Sequence, residues 1–134
     1  MNIRSGVDTV YIPRILKSLQ QHGDTFMDKC LSPSEKKLAL SYKSEGRRAE
    51  FVAGRFASKE AVSKALGTGI MSEGIVLSDI EVLPNESGAP VLTLSGEAHN
   101  MASLLNVISS SVSITHEKDY ATAICVLLCD EEVR

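Results

Sequence analysis

Four side chains of this sequence, Asp8, Glu60, Ser63 and Lys64, have the types that phosphate chemistry needs. Within a helix Glu60 and Lys64 stand four apart and Ser63 three from Glu60, so the spacing predicts that all three face one side. A carboxylate beside an ammonium and a hydroxyl suits a metal-bound phosphate ester. The same spacing also describes an ordinary exposed Glu–Lys pair worth about 0.3–0.5 kcal/mol. Asp8 is a poor strand former placed inside an apolar, β-branched run. It either faces solvent or binds a cation, and an oxygen-only pair of Asp8 and Glu60 would suit Mg²⁺. His116 ends an alternating segment on the side of Val112 and Ile114, which suits a structural histidine or, with Lys118 following, a phosphate neighbour. Neither P-loop nor GxGxxG spacing occurs.

The elements that must hold these groups are legible from period and punctuation. Ile3–Ile12 reads as a strand, and Pro13 opens a short helix that Gly23 should stop. Ser32-Pro33-Ser34-Glu35 combines an N-cap serine, a proline at the first helical position and the glutamate of a capping box, for a helix to about Lys43. The longest helix should run from Arg47 to Leu66, with Ala53, Ala57, Ala61 and Ala65 forming a strip for close packing before Gly67-Thr68-Gly69. Strands follow over Ile75–Leu83 and Val91–Leu94, then a helix from Glu97 to about Asn106. A hairpin closes the chain, Ser111–His116 and Tyr120–Leu128, turning at Glu117–Tyr120. The fold class is α+β: an antiparallel sheet packed against a long central helix and shorter helices, as one domain over 1–134.

Composition narrows the function. The chain has 134 residues, 43% hydrophobic and 23% charged, an ordinary globular profile. No apolar run approaches the roughly 20 residues of a membrane span, and the N-terminus lacks the long apolar stretch of a signal peptide. Three cysteines without a CxxC pair argue against a disulfide framework or zinc site and for the cytoplasm; Cys125 and Cys129 read as small core residues. Residues 1–67 hold 12 Lys/Arg against 7 Asp/Glu, and residues 68–134 hold 2 against 10. The basic half suits an anionic partner. With three Phe, three Tyr and no Trp, the chain lacks the stacking aromatics of a single-strand nucleic-acid binder.

Taken together, Gly6-Val7-Asp8-Thr9-Val10 with Pro13-Arg14-Ile15, the run Glu50 to Glu60, Ala61 to Ile70, and Val112 to Ala121 resemble the holo-acyl-carrier-protein synthases, the small bacterial phosphopantetheinyl transferases. The resemblance implies transfer of 4′-phosphopantetheine from coenzyme A to a serine of an apo acyl carrier protein, with release of 3′,5′-ADP. It also implies Mg²⁺ dependence and a homotrimer with active sites between subunits. By position, Asp8 and Glu60 look like metal ligands and Lys64 like the cation that offsets phosphate charge. Ser63, Gly67 and His116 look like coenzyme A contacts, with Arg47, Phe51 and Arg55 from a neighbouring subunit. Arg14 looks like the contact to the carrier protein.

Gly46 and Ala89 stand where basic residues are common in that family, which shifts the grip on the nucleotide end toward Arg47 and Arg55. Met71-Ser72-Glu73-Gly74 and the segment Glu97 to Ser110 match only loosely. Phosphoryl transfer needs positioning and charge stabilisation, which a metal and a lysine supply. The serine proton leaves either to Glu60 or to a water on the cation; the second route is favoured, because a carboxylate bound to a cation is a weakened base. The alternative of a different class is a non-catalytic module that binds coenzyme A or an acidic protein without turnover.

Overall fold

In the computed structural model the described residues are 1–68 and 75–130, so the stretch Met71–Gly74 and residue Gly69 of the expected helix stop lie outside them. The chain runs β1 (Asn2–Tyr11), α1 (Ile12–Cys30), α2 (Pro33–Ser41), α3 (Glu45–Leu66), a 3₁₀ turn (Leu77–Asp79), β2 (Ile80–Pro84), β3 (Pro90–Leu94), α4 (Gly96–Leu104), β4 (Val107–Glu117) and β5 (Tyr120–Cys129). β1 and β4 flank β5 in an antiparallel three-stranded sheet, and β2 and β3 form a separate antiparallel ribbon.

α3 is the axis of the molecule. Its alanine strip, Ala49, Ala53, Ala57, Ala61 and Ala65, is at most 1% exposed, and small side chains let the sheet lie close against the helix. Val10, Ala121, Ala123, Cys125 and Leu127 face it from β1 and β5. Ser44 caps α3 by accepting from the Arg47 N–H, and Gly67 ends it at φ 83°. The Ser32 capping box forms as its sequence implied, Ser32 Oγ accepting from the Glu35 N–H and Glu35 Oε1 from the Ser32 N–H.

Several boundaries differ from expectation: β4 begins at Val107 rather than Ser111 and α3 at Glu45 rather than Arg47, and two differences have a clear physical reason. Gly23 kinks the first helix (φ 43°, ψ −115°), yet helix resumes beyond it to Cys30, because Met27 and Cys30 have core to bury. The stretch before Ile80 is a 3₁₀ turn instead of strand, since its carbonyls are taken by other partners than a neighbouring strand.

Among the described residues, none packs over the sheet's other face. Ile3, Val7, Tyr11, Tyr120 and Ile124 are all exposed there, with Val7 opposite Ile124 and Tyr11 opposite Tyr120 in register. The Thr9 and Thr122 hydroxyls lie 3.0 Å apart between those pairs.

Candidate active site

Two groups of predicted residues assemble at different heights on α3. In the first, β1 crosses the C-terminal part of the helix at Gly6, where a side chain would collide with the Ala61 and Ala65 backbone. That closeness brings Asp8, two residues on and on the same side of β1, to the helix flank. Lys64 Nζ donates to Asp8 Oδ1 at 3.0 Å and to the Val7 carbonyl at 3.0 Å. Glu60, one turn earlier, is half-buried. Its carboxyl is held above the ordinary glutamate range, first by desolvation and then by the charge of Asp8, while Lys64 pulls the other way. Two carboxylates and one ammonium therefore share a small patch, and the acids repel one another.

Ser63 departs from the expected common face. Its side chain turns inward, 1% exposed, and Oγ has no hydrogen-bond partner among the described residues. Thr68 Oγ1, beyond the helix end, is likewise buried without one. Gly67 is exposed, and the Arg4 guanidinium lies against it while Arg4 Nε donates to the Ala65 carbonyl at 2.7 Å. Arg4 thus places a cation at the negative end of the helix dipole, a contact the sequence did not single out.

The second group lies toward the N-terminal half of α3. Tyr42, Arg47, Glu50, Phe51, Arg55 and His116 line a cavity of about 140 Å³. The Arg55 guanidinium sits 4.2 Å above the Phe51 ring, and Arg47 lies 5.5 Å from the Tyr42 ring centre. His116 reaches the helix because residue 54 is glycine: a Cβ there would stand 3.2 Å from His116 Nε2. His116 Nε2 lies 3.1 Å from the Glu50 carbonyl. His116 therefore groups with Arg47, Phe51 and Arg55 rather than with Lys64. At 1.5 Å per residue, Arg47 and Glu60 are roughly 20 Å apart along the helix. Arg14 stands exposed in the first turn of α1, directly after β1.

Sequence reasoning missed a buried pair next to the site. Lys59 and Glu35 are both fully buried, with Lys59 Nζ 2.7 Å from Glu35 Oε1. Glu35 was legible as a helix cap; nothing in the spacing announced that it also holds Lys59. A lysine flanked by Ser58 and the buried Ala57 and Ala61 was the available signal.

The first group fits a hard divalent cation. It offers oxygen donors alone, and no group of three or more His, Cys, Asp or Glu side chains that could hold a metal occurs among the described residues. A pair of carboxylates is what Mg²⁺ takes from a protein when water and phosphate oxygens supply the rest, and a shared cation would relieve the repulsion between Asp8 and Glu60.

Residues 4–125 match the family model described as the 4′-phosphopantetheinyl transferase superfamily. The chain is 40% identical over 123 residues to a holo-[acyl-carrier-protein] synthase of Halorhodospira halophila, covering 92% of this chain and 94% of that one. It is 43% identical over 122 residues to that of Vibrio parahaemolyticus, covering 91% and 94%. Among solved structures it is similar to a holo-(acyl-carrier-protein) synthase from Bacillus anthracis in complex with CoA (3′,5′-ADP), with TM-score 0.78, 38% identity and coverage of 95% and 96%. It is also similar to the Chronobacterium ammoniagenes ACPS-CoA complex, with TM-score 0.84, 34% identity and coverage of 98% and 100%. The chain belongs to the 4′-phosphopantetheinyl transferase superfamily and is an enzyme of the kind its relatives represent, a holo-[acyl-carrier-protein] synthase.

Proposed function

We propose that the chain transfers 4′-phosphopantetheine from coenzyme A to a serine of an apo acyl carrier protein, with Mg²⁺ held by Asp8 and Glu60. The serine oxygen forms a bond to the phosphorus that carries pantetheine. The bridging P–O bond breaks, and 3′,5′-ADP departs with its electron pair. The observation that carries the reading is the meeting of Asp8, Glu60 and Lys64 where β1 crosses α3.

Each residue has a role that follows from its chemistry. Asp8 and Glu60 bind the cation, which when present supplies charge stabilisation to the diphosphate. Lys64, half-exposed and tethered to the Val7 carbonyl, offers its ammonium to the phosphate oxygens as charge builds on the leaving side. Glu60 holding a cation would be a weakened base, so the serine proton would leave by way of water, with Glu60 as the alternative direct acceptor. Arg47, Arg55 and His116 suit the phosphate and Phe51 the ring of the nucleotide end. Ser63 and Gly67, at the C-terminal end of α3 beside Lys64, are read as coenzyme A contacts, and Arg14 is an exposed cation for an acidic carrier protein.

The second group spreads along α3 from Arg47, roughly 20 Å from Glu60, to Arg55, about 8 Å from it, and we read the site as completed by a neighbouring subunit, Asp8, Glu60 and Lys64 from one and Arg47, Phe51 and Arg55 from the next. The uncovered apolar sheet face supports self-association, which we read as a homotrimer. No helix among the described residues is long and apolar enough to cross a membrane. Three free buried thiols support a reducing compartment such as the cytoplasm.

The test is incubation with coenzyme A, Mg²⁺ and a panel of apo carrier proteins, followed by intact-mass analysis. Gain of one phosphopantetheine and stoichiometric 3′,5′-ADP is the expected result. Binding of coenzyme A without either product on any carrier protein, while a control transferase modifies the same panel, overturns the reading.

A further inference from the structure

Among the described residues β2 has a partner strand on one side only, so the polar backbone groups on its other edge need other partners. Side chains do this. The Ile80 carbonyl takes Lys59 Nζ, the Val82 N–H donates to Glu35 Oε2 at 2.8 Å, and the Val82 carbonyl accepts from Arg55 Nε at 3.0 Å. Lys59 and Arg55 are one turn apart on α3 and grip alternate carbonyls of the same strand. Glu35 grips the amide between them and holds Lys59 at the same time.

We propose that Glu35 is a positioning residue for Arg55: by fixing the Val82 peptide unit, and by anchoring Lys59 one turn along α3, it sets where the Arg55 guanidinium stands in the cavity it shares with Phe51, Arg47 and His116. Two features make this more than a structural ion pair. The carboxylate spends both oxygens, Oε1 on Ser32 N–H and Lys59 and Oε2 on Val82 N–H, so it links the start of α2 to the strand that orients Arg55. Arg55 has one hydrogen bond from its Nε among the described residues, to that strand, which leaves the outer edge of its fork to a ligand. The charge of Glu35 also favours the ionised form of Arg55 against its burial. The inference rests on the transferase reading, in which Arg55 holds coenzyme A.

The experiment is a double-mutant cycle between Glu35 and Arg55 read in steady-state kinetics with coenzyme A as the varied substrate. Glu35→Gln keeps the shape of the side chain but removes its charge and turns one of its two acceptor oxygens into a donor. The KM for coenzyme A is expected to rise by about tenfold, the loss of one well-aimed charged contact, with a far smaller change in kcat. In an Arg55→Ala background the same change should add almost nothing. Backbone-amide exchange at Val82 should accelerate in Glu35→Gln. If Glu35→Gln fails to fold, the doubly neutral Glu35→Gln/Lys59→Met chain, which leaves no unpaired buried charge, carries the same measurements. An unchanged KM with normal turnover overturns the positioning role and leaves the transferase reading standing. Equal loss of kcat and KM effects that multiply with Arg55→Ala also overturn it. If the unsubstituted chain binds coenzyme A without turnover, the dissociation constant replaces KM in the same cycle; if it does not bind coenzyme A, both readings fall together.

Discussion

Gly6 of β1 lies so close to Ala65 of α3 that a Cβ built on the glycine would stand 2.7 Å from the Ala65 nitrogen and would overlap the Ala61 carbonyl. Both obstacles are backbone, so no side-chain rotation relieves them. The absence of a side chain at Gly6 permits that close approach, which carries Asp8 to Lys64. Gly6→Ala should therefore force β1 off α3 at a cost of about 3 kcal/mol, a fall in melting temperature of roughly 10 °C. Mg²⁺-dependent transfer at a temperature where the variant is still folded should also fall, because Asp8 moves with its strand. Calorimetry and the mass assay together check both; a chain with unchanged melting temperature would contradict the close crossing.

Glu60→Gln should keep the fold and lose the reaction. The pKa of Glu60 is raised in the folded chain, so the folded state holds that proton more tightly than the unfolded one. The ionised carboxylate consequently costs stability above its raised pKa, and the cost disappears below the ordinary glutamate range. Without Mg²⁺ at neutral pH the variant should melt at the same temperature as the parent or higher, the two converging as pH falls below that range. Adding Mg²⁺ should raise the parent's melting temperature by mass action and leave the variant's unmoved. A variant that still gains stability from Mg²⁺ would remove Glu60 from the metal site.

Lys64→Ala separates stability from chemistry in another way. The pair with Asp8 is largely solvent-exposed on the lysine side, so its loss should cost at most about 1 kcal/mol. Transfer should slow by about 10²–10³-fold if the ammonium stabilises charge in the transition state. Single-turnover rates at saturating coenzyme A measure that directly, and a rate within the error of the parent would discard the role.

How much of this was legible beforehand depended on whether a residue's partner was near in sequence. Ser32 and Glu35 as a capping box, and Gly67 as a helix stop, are local devices and appear where spacing placed them. Asp8 looked odd for a strand, and the structure pairs it with Lys64, a contact fifty-six positions away that the strand pattern did not announce. Ser63 did not follow the spacing rule, because i and i+3 share a helix face only to within tens of degrees and Ser63 falls on the buried side of that margin. The Glu35–Lys59 pair was invisible because its remaining partners are backbone groups of β2 and of the preceding turn, which no side-chain pattern announces. The grouping of His116 with Arg47 and Arg55 likewise needed the sheet register and the small size of Gly54.

The cysteines offer an independent check on packing. Cys30, Cys125 and Cys129 are each at most 2% exposed, and burial pushes the thiols of Cys30 and Cys125 up to about 11. At pH 8 neither has appreciable thiolate. Native protein should leave an aromatic disulfide reagent unconsumed over the time in which denatured protein titrates three thiols. Rapid reaction of one thiol in the native chain would show that the core opens around it.

The last prediction concerns which subunit supplies which half of the site. Glu60→Gln damages the Asp8–Glu60–Lys64 group and Arg55→Ala damages the cavity with Phe51 and His116, with Arg55 about 8 Å along α3 from Glu60. If one subunit contained a whole site, mixing the two variants, assayed at coenzyme A too dilute for Arg55→Ala to turn over measurably, would restore nothing, since every site would carry one lesion. In a closed ring with heterologous contacts each site takes one group from each of two neighbours. A site formed by the intact Glu60 of the arginine variant and the intact Arg55 of the glutamate variant is then complete. Random reassembly of equal amounts gives each site roughly one chance in four of that arrangement. Activity after dissociation and remixing should therefore recover to roughly a quarter of the parent's, and Val7→Lys, which places a charge opposite Ile124 on the uncovered sheet face, should abolish the recovery together with the assembly. A mixture that stays inactive while sedimenting as the assembled species would place both groups in one subunit's site.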